Sequence, residues 1–197
     1  MPDTAPKNRF HAKLKKCYYA PATPDFDAGT VTYGTPVRIP DAVSISLSPT
    51  GEPITVNADG GVVNLGRDNS GYEGDLEVIR FPESFETDVL SSVKNTDGTI
   101  DEFENDDAKY IALLFEFSAD KKAVRHCMYL GYVTKRITVE GDNPDKKEPK
   151  LEKVSLKFIP HPGTGIVKKK TGDNTTDAVY NSWYSAVPQN TTPAETE

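Results

Sequence analysis

KYIALLFEFSADKKAVRHCMYLGYVTKRITVEG, residues 109–141, decides the fold. Two runs rich in β-branched and aromatic residues flank a polar turn at Ser118–Lys122, the pattern of an antiparallel hairpin. Tyr110–Phe117 is almost continuously apolar. Successive strand side chains point to opposite faces, so a strand without alternation is covered on both. Two other stretches do alternate. LEKVSLKFIP (151–160) sets Leu151, Val154, Leu156 and Phe158, with one slip, against Glu152, Lys153, Ser155 and Lys157. AVSISLS (42–48) sets Val43, Ile45 and Leu47 against Ser44, Ser46 and Ser48, giving one greasy face and one hydroxyl face.

Outward from these, RFHAKLKKCYYA (9–20) reads as a strand with Phe10, Ala12, Leu14 and Tyr18 opposite His11, Lys13, Lys15 and Cys17. Lys16 breaks its apolar face, which suggests a strand end or an edge. PATPDFDAG (21–29) reads as a turn-rich loop, followed by short extended pieces at Thr30–Tyr33 and Val37–Ile39. ITVNA (54–58) is extended, and residues 59–71 carry four glycines around VVNL, a flexible loop or a weakly held hairpin. YEGDLEVIRF (72–81) is a strand with Leu76, Ile79 and Phe81 as its main apolar groups, and IVKKK (166–170) is a short charged one. Two helices are predicted. The first covers 82–93, with Phe81, Phe85, Val89 and Val93 in a stripe. The second covers 175–188, capped by Thr176, stopped by Pro188, with Val179, Trp183 and Val187 in line. The chain therefore reads as mainly β: two packed antiparallel sheets, a sandwich or partly open barrel, with one or two short helices. It is read as one domain over 1–197, with 1–8 and 188–197 as flexible arms.

The formal net charge is −7, which suits solubility and opposes gripping phosphate backbones. No apolar run approaches the roughly 18 residues of a membrane helix, and MPDTAPKNRF lacks the apolar core of a signal peptide. Cys17 and Cys127 lie far apart in strand-like runs and read as buried free thiols rather than a disulfide or a metal pair. His11, His126 and His161 share no ligand spacing, and no nucleophile elbow, zincin, Walker or dinucleotide fingerprint is present, so no enzyme and no cofactor are expected. NTDGTIDEFE (95–104) mimics a calcium loop. With Gly98 at its sixth position, Asn95, Asp97, Asp101 and Glu104 fall on ligand positions. Its first position is Val93, which has no side-chain oxygen, so the stretch reads as a solvated acidic turn and no metal site is assigned. Lys13–Lys16 and Lys168–Lys170 read as solvated strand faces or intersubunit ion pairs, the latter with the 101–107 acidic loop of a neighbouring chain as one partner.

GTPVRIPDAVSISLSPTGE (34–52) and NSGYEGDLEV (69–78) resemble the major tail proteins of long-tailed, non-contractile phages. FETDVL (85–90), IALLFEF (111–117), DKKAVRHCMY (120–129) and DAVYNSWY (177–184) follow in the same order, so the resemblance spans Cys17 to Trp183. It implies a tail-tube fold and a structural virion protein, made in the host bacterial cytoplasm and resident in the tail. Six subunits would join strands into a ring, and rings would stack into the conduit for DNA ejection. The implied partners are further copies of the chain, the tape measure protein, and tail terminator and tail-tip proteins. Double-stranded DNA would pass through the lumen without specific binding, and no membrane is involved. The resemblance also implies an inter-subunit reaching loop, placed at 57–71 with Asn57, Asp59, Gly60, Gly61, Arg67 and Asp68 as assembly residues. The alternative is a monomeric β-sandwich binding or adhesin module.

Overall fold

The computed structural model describes residues 10–51, 53–58, 61–67, 69–104, 109–119, 121–141 and 150–189. It is mainly β with two short helices. The strands are β1 (His11–Asp25), β2 (Thr30–Tyr33), β3 (Val37–Ile39), β4 (Ala42–Thr50), β5 (Pro53–Ala58), β6 (Gly61–Arg67) and β7 (Gly71–Val78), then β8 (Val93–Lys94), β9 (Ile100–Asp101), β10 (Tyr110–Ala119), β11 (Val124–Lys135), β12 (Glu152–Ile159) and β13 (Lys168–Lys170). Helix α1 is Glu83–Val89 and α2 is Asp177–Ser182. The main sheet runs β2–β1–β10–β11–β12–β7–β4, with β3 beside β1 and β13 beside β11. Every pairing in it is antiparallel.

The chain from β3 to β4 changes partners at Pro40–Asp41. Before the break Ile39 pairs with Cys17 of β1; after it β4 pairs with β7. Asp41 takes a left-handed φ of 52°, and its carbonyl accepts the Ile79 amide at 3.1 Å. This corner draws the two ends of the sheet together without a β1–β4 ladder, so the sheet is rolled but no barrel closes. The two packed layers expected from the sequence are halves of one hydrogen-bonded sheet.

Between the layers lies the main core, with Tyr19, Ile39, Leu76, Val78, Ile111, Leu113, Phe115, Met128, Val154, Leu156 and Phe158 buried. Helix α1 plugs it with Phe85 and Val89; Phe85 stacks on Phe81 at 4.6 Å and meets Tyr19 edge-on at 5.3 Å. A second core occupies the outer face of β1, β10 and β11, where Ala20, Ala112, Leu114, Cys127 and Tyr129 are covered by Trp183 and Val187. Strand β10 is thus buried on both faces, as its missing alternation requires.

That outer cover is held by a buried ion pair. Arg125 Nε donates to Glu116 Oε2 at 3.0 Å from the directly paired position across β10–β11. The guanidinium lies 3.7 Å from the centre of the Tyr180 ring and also donates to the Tyr180 carbonyl. Tyr184 donates its hydroxyl to Glu116 at 3.1 Å, and burial, then the Glu116 charge, pushes that phenol up. The polar pair is therefore satisfied by the segment that covers it.

Several expectations change. The apolar and polar faces of 9–20 do not persist, because bulges between His11 and Leu14 and between Leu14 and Cys17 rotate the strand. Cys17 consequently enters the main core, and Lys16 marks a bulge, 3.7 Å from Glu116, rather than an edge. Residues 21–25 continue β1 instead of looping; the turn begins at Phe26. A bulge between Ala42 and Ser44 turns Val43 out to 46% exposure, leaving Ile45 and Leu47 on the core side. In β7 the inward residues are Leu76 and Val78, while Ile79 is exposed. Helix α1 stops early: Ser91 takes φ 61°, and the amides of Leu90 and Ser92 both donate to the Glu86 carbonyl. Val93 is thereby thrown into β8 and exposed. Thr176 occupies the N-cap position of α2 but makes no side-chain cap bond, and Val179 faces outward while Trp183 and Val187 are buried. The 53–67 stretch is a hairpin, β5–β6, a two-stranded sheet of its own between β4 and β7 in the chain; the Ser70 amide donates to the Thr50 carbonyl at 3.0 Å at the end of the β4–β7 ladder.

Cys17 and Cys127 are free and sit in different cores, on opposite faces of the sheet; burial pushes both thiols up to about 12. Trp183→Ala should cost about 3–5 kcal/mol. It should make Cys127 react with an aromatic disulfide reagent well before Cys17; equal labelling of both would refute the two-core arrangement. Gly74 pairs with Leu47, and a Cβ there would lie 1.8 Å from the Ser46 carbonyl oxygen. Gly74→Ala should therefore destabilise by about 1–3 kcal/mol in urea unfolding, with early hydrogen exchange in β4.

Candidate functional site

The side of β4, β7 and β12 away from the core is polar on every strand. Ser44, Ser46 and Ser48 stand beside Glu77, Asp75 and Glu73, which stand beside Lys153, Ser155 and Lys157. The strands place these rows by plain alternation, because Ile45, Leu47, Leu76, Val154, Leu156 and Phe158 fill the core side. The result is a three-row ladder of hydroxyl, carboxylate and ammonium groups.

The rows are bonded to one another. Ser44 donates to Glu77 Oε2 at 2.7 Å. Ser155 donates to Asp75 Oδ1 at 2.7 Å, and Lys153 Nζ donates to Asp75 Oδ2 at 2.7 Å. Lys153, then Ser155, hold the Asp75 carboxyl below its ordinary value; Asp75 in turn raises Lys153. A shallow groove of about 290 Å³ follows this face along Glu73, Gly74, Asp75, Thr134, Lys135 and Ser155. With opposite charges paired across strands, the face carries little unbalanced charge to hold a passing polyanion.

The rolled sheet leaves strand edges without a ladder partner among the described residues: β4 and β2 at the ends of its path, and the outer sides of the short strands β3 and β13. Beside the β4 edge the layers part into a cleft of about 340 Å³, lined by Ile45, Leu47, Tyr72, Phe115, Phe117 and Met128. Lys168 stands at its rim, donating to the Tyr72 hydroxyl at 2.8 Å with Nζ 4.4 Å from the ring centre.

The acidic turn at 95–104 is a small hairpin of β8 and β9, closed by the Asn95 amide donating to the Thr99 carbonyl at 2.8 Å. Asp97 Oδ1 accepts from the Thr99 amide and hydroxyl, at 3.1 and 2.7 Å, and these bonds hold its carboxyl low. Asn95 donates to Asp101 at 2.8 Å. Asn95, Asp97 and Asp101 are thus brought together, each bonded within the turn; Glu104 is exposed beyond it. Among the described residues no three His, Cys, Asp or Glu are gathered in a way that could hold a metal ion.

Of the assembly residues, Asn57 pairs with Val62, Gly61 with Ala58 and Arg67 with Pro53 in the β5–β6 hairpin. Asp59, Gly60 and Asp68 lie outside the described residues. So do residues 1–9, most of 142–150 and 190–197. Lys169 of the basic run donates to the Gln189 carbonyl at 2.7 Å. His161 is a turn residue whose Nδ1 accepts the Gly163 amide at 3.2 Å, and His126 stacks on Phe115 at 5.1 Å. Reading each strand separately missed the cross-strand ladder, although its rows stand in the sequence as polar residues two apart at 44–48, 73–77 and 153–157.

No family model and no curated protein sequence matches the chain. Among solved structures it is similar to the sheath/tube terminator of PVC, an extracellular contractile injection system, in its extended state. The TM-score is 0.47 and the identity 8%, over 83% of this chain and 99% of that one. At that level the likeness carries no functional argument.

Asp75 has a depressed folded value, so its stabilising contribution is present above about pH 4, the ordinary carboxylate range, and is lost as pH falls through the folded value. Asp75→Asn should therefore lower the melting temperature at pH 7. The two melting curves should converge below pH 4; a constant offset down to pH 2 would refute the ion-pair account.

Proposed function

We propose that this chain is a structural tail protein and, more specifically, the major tube subunit of a non-contractile phage tail. The ordered phrases from Cys17 to Trp183 supply the family resemblance, and the carrying structural observation is a sheet that rolls up without closing. Such a sheet leaves edges whose backbone groups another copy can complete, and joining edges around a ring removes the aggregation hazard of an open strand. Six copies form the ring and rings stack into the ejection conduit of the virion.

In this reading the Ser–carboxylate–Lys ladder faces the lumen. Its lysines stand among three carboxylates, one of them ion-paired to Lys153, so the face offers DNA no excess of positive charge and DNA slides past without being retained. The β5–β6 hairpin, about 20 Å long at the usual strand rise, is the element that reaches an adjacent subunit, with Asn57, Gly61 and Arg67 on it. The tape measure protein fills the lumen before ejection, and terminator and tip proteins bound the tube.

Negative-stain microscopy and light scattering of the purified protein test this. Rings or tubes are expected, and a strictly monomeric particle at high concentration favours the adhesin-like binding module. Replacing residues 52–69 by an Asn-Gly turn should leave the far-ultraviolet spectrum and cooperative melting intact while abolishing tubes. Continued polymerisation of that variant would remove the hairpin from the assembly.

A further inference from the structure

The C-terminal cover runs on past Trp183 and Val187 across the outer face of the sheet. The Tyr129 hydroxyl donates to the Pro188 carbonyl, and Lys169 Nζ to the Gln189 carbonyl, both at 2.7 Å. These bonds bring Gln189 to the lip of a groove of about 350 Å³. One wall of the groove is β2, with Thr30, Val31 and Tyr33; the other is the turn that carries His161 and Thr164. The walls meet at one end, where a Cβ on Gly163 would lie 2.0 Å from the Gly29 carbonyl oxygen. Tyr33 packs against the second core, its ring 6.4 Å from that of Tyr129. Its hydroxyl oxygen is nevertheless buried and has no hydrogen-bond partner among the described residues. A buried hydroxyl left unpaired is costly, and folded proteins nearly always supply its partner.

NTTPAETE, residues 190–197, continues the chain from that lip. Extended, it reaches roughly 26 Å, about twice the length of β2. A segment tethered at the lip meets the groove at an effective concentration on the order of millimolar, which sets it ahead of a free partner. Its chemistry suits the walls: threonine and asparagine bring hydroxyl and amide groups to a lining of Thr30, Tyr33, His161 and Thr164. Pro193, which lacks an amide hydrogen, is tolerated beside an edge strand such as β2. We propose that residues 190–197 lie in this groove of their own chain, with a backbone carbonyl of the segment accepting the Tyr33 hydroxyl. The segment, read from sequence as a flexible arm, then covers β2 as Trp183 covers β10. A groove filled from within the chain needs no second copy, so the inference stands apart from the tube.

The experiment places a photoreactive benzoylphenylalanine at 192 in the full chain and irradiates an equal mixture of nitrogen-15-labelled and unlabelled copies. Mass spectrometry should map the cross-links to residues 29–33 or 161–164, and each linked pair of peptides should carry a single isotope. Pairs of mixed isotope would put another copy's segment in the groove and overturn the proposal. Adducts confined to other surfaces, or none, would overturn it as well. Val31→Asp, on the half-buried wall of the groove, should lower the cross-link yield about tenfold while cooperative melting persists; an undiminished yield counts against the groove. Tyr33→Phe should speed amide exchange within 190–197 about fivefold. Exchange unchanged by that substitution means that the segment does not take up the hydroxyl.

Discussion

The rest of the structure depends on the burial of β10 on both faces. Ile111, Leu113 and Phe115 face the interior between the layers, while Ala112, Leu114 and Glu116 face outward under the chain that follows β13. A strand of this kind cannot sit at the surface of a two-layer protein without a third cover. The C-terminal segment supplies that cover with Trp183, and Glu116 with Arg125 supplies its polar anchor. Removing either member of the anchor would leave a charge in an apolar seam, which is far more costly than never having placed one there.

The second constraint is the corner at Pro40–Asp41. A strand that remained with β1 along its whole length would give a broad, two-edged sheet. Exchange of partners at the corner wraps the sheet around Leu76, Val154 and Leu156 and creates both the mouth and the polar outer ladder. The proposed functional surfaces thus come from the place where the roll fails to close.

Much of this was legible in residues. The hairpin of β10 and β11, the alternation of β12 and the two-faced burial of Tyr110–Phe117 all follow from side-chain period. The errors share a cause. Val43 and Cys17 were placed on the wrong faces because single-residue bulges change the count, and a bulge leaves no local signature in strands of this composition. Val93 was placed on a helix because spacing of four continues past Ser91, where the backbone turns left-handed. The polar ladder was half legible: each row can be seen alone, but register across three strands is set by the corner and by Gly74, not by any one row. The mouth cleft joins residues from β4, β7, β10, β11 and β13 and has no linear signature.

The place of the β5–β6 hairpin in the chain, between the paired ends of β4 and β7, has a mechanical consequence. A hydrogen-bonded strand pair bends and twists as a unit, so β4 and β7 act as a lever whose fulcrum is the Pro40–Asp41 corner and the Ile79 amide that braces it. A load on the far arm reaches the body as torque on β4, the strand that forms one lip of the mouth. Strain arising in the hairpin is thereby delivered to the gap between the layers.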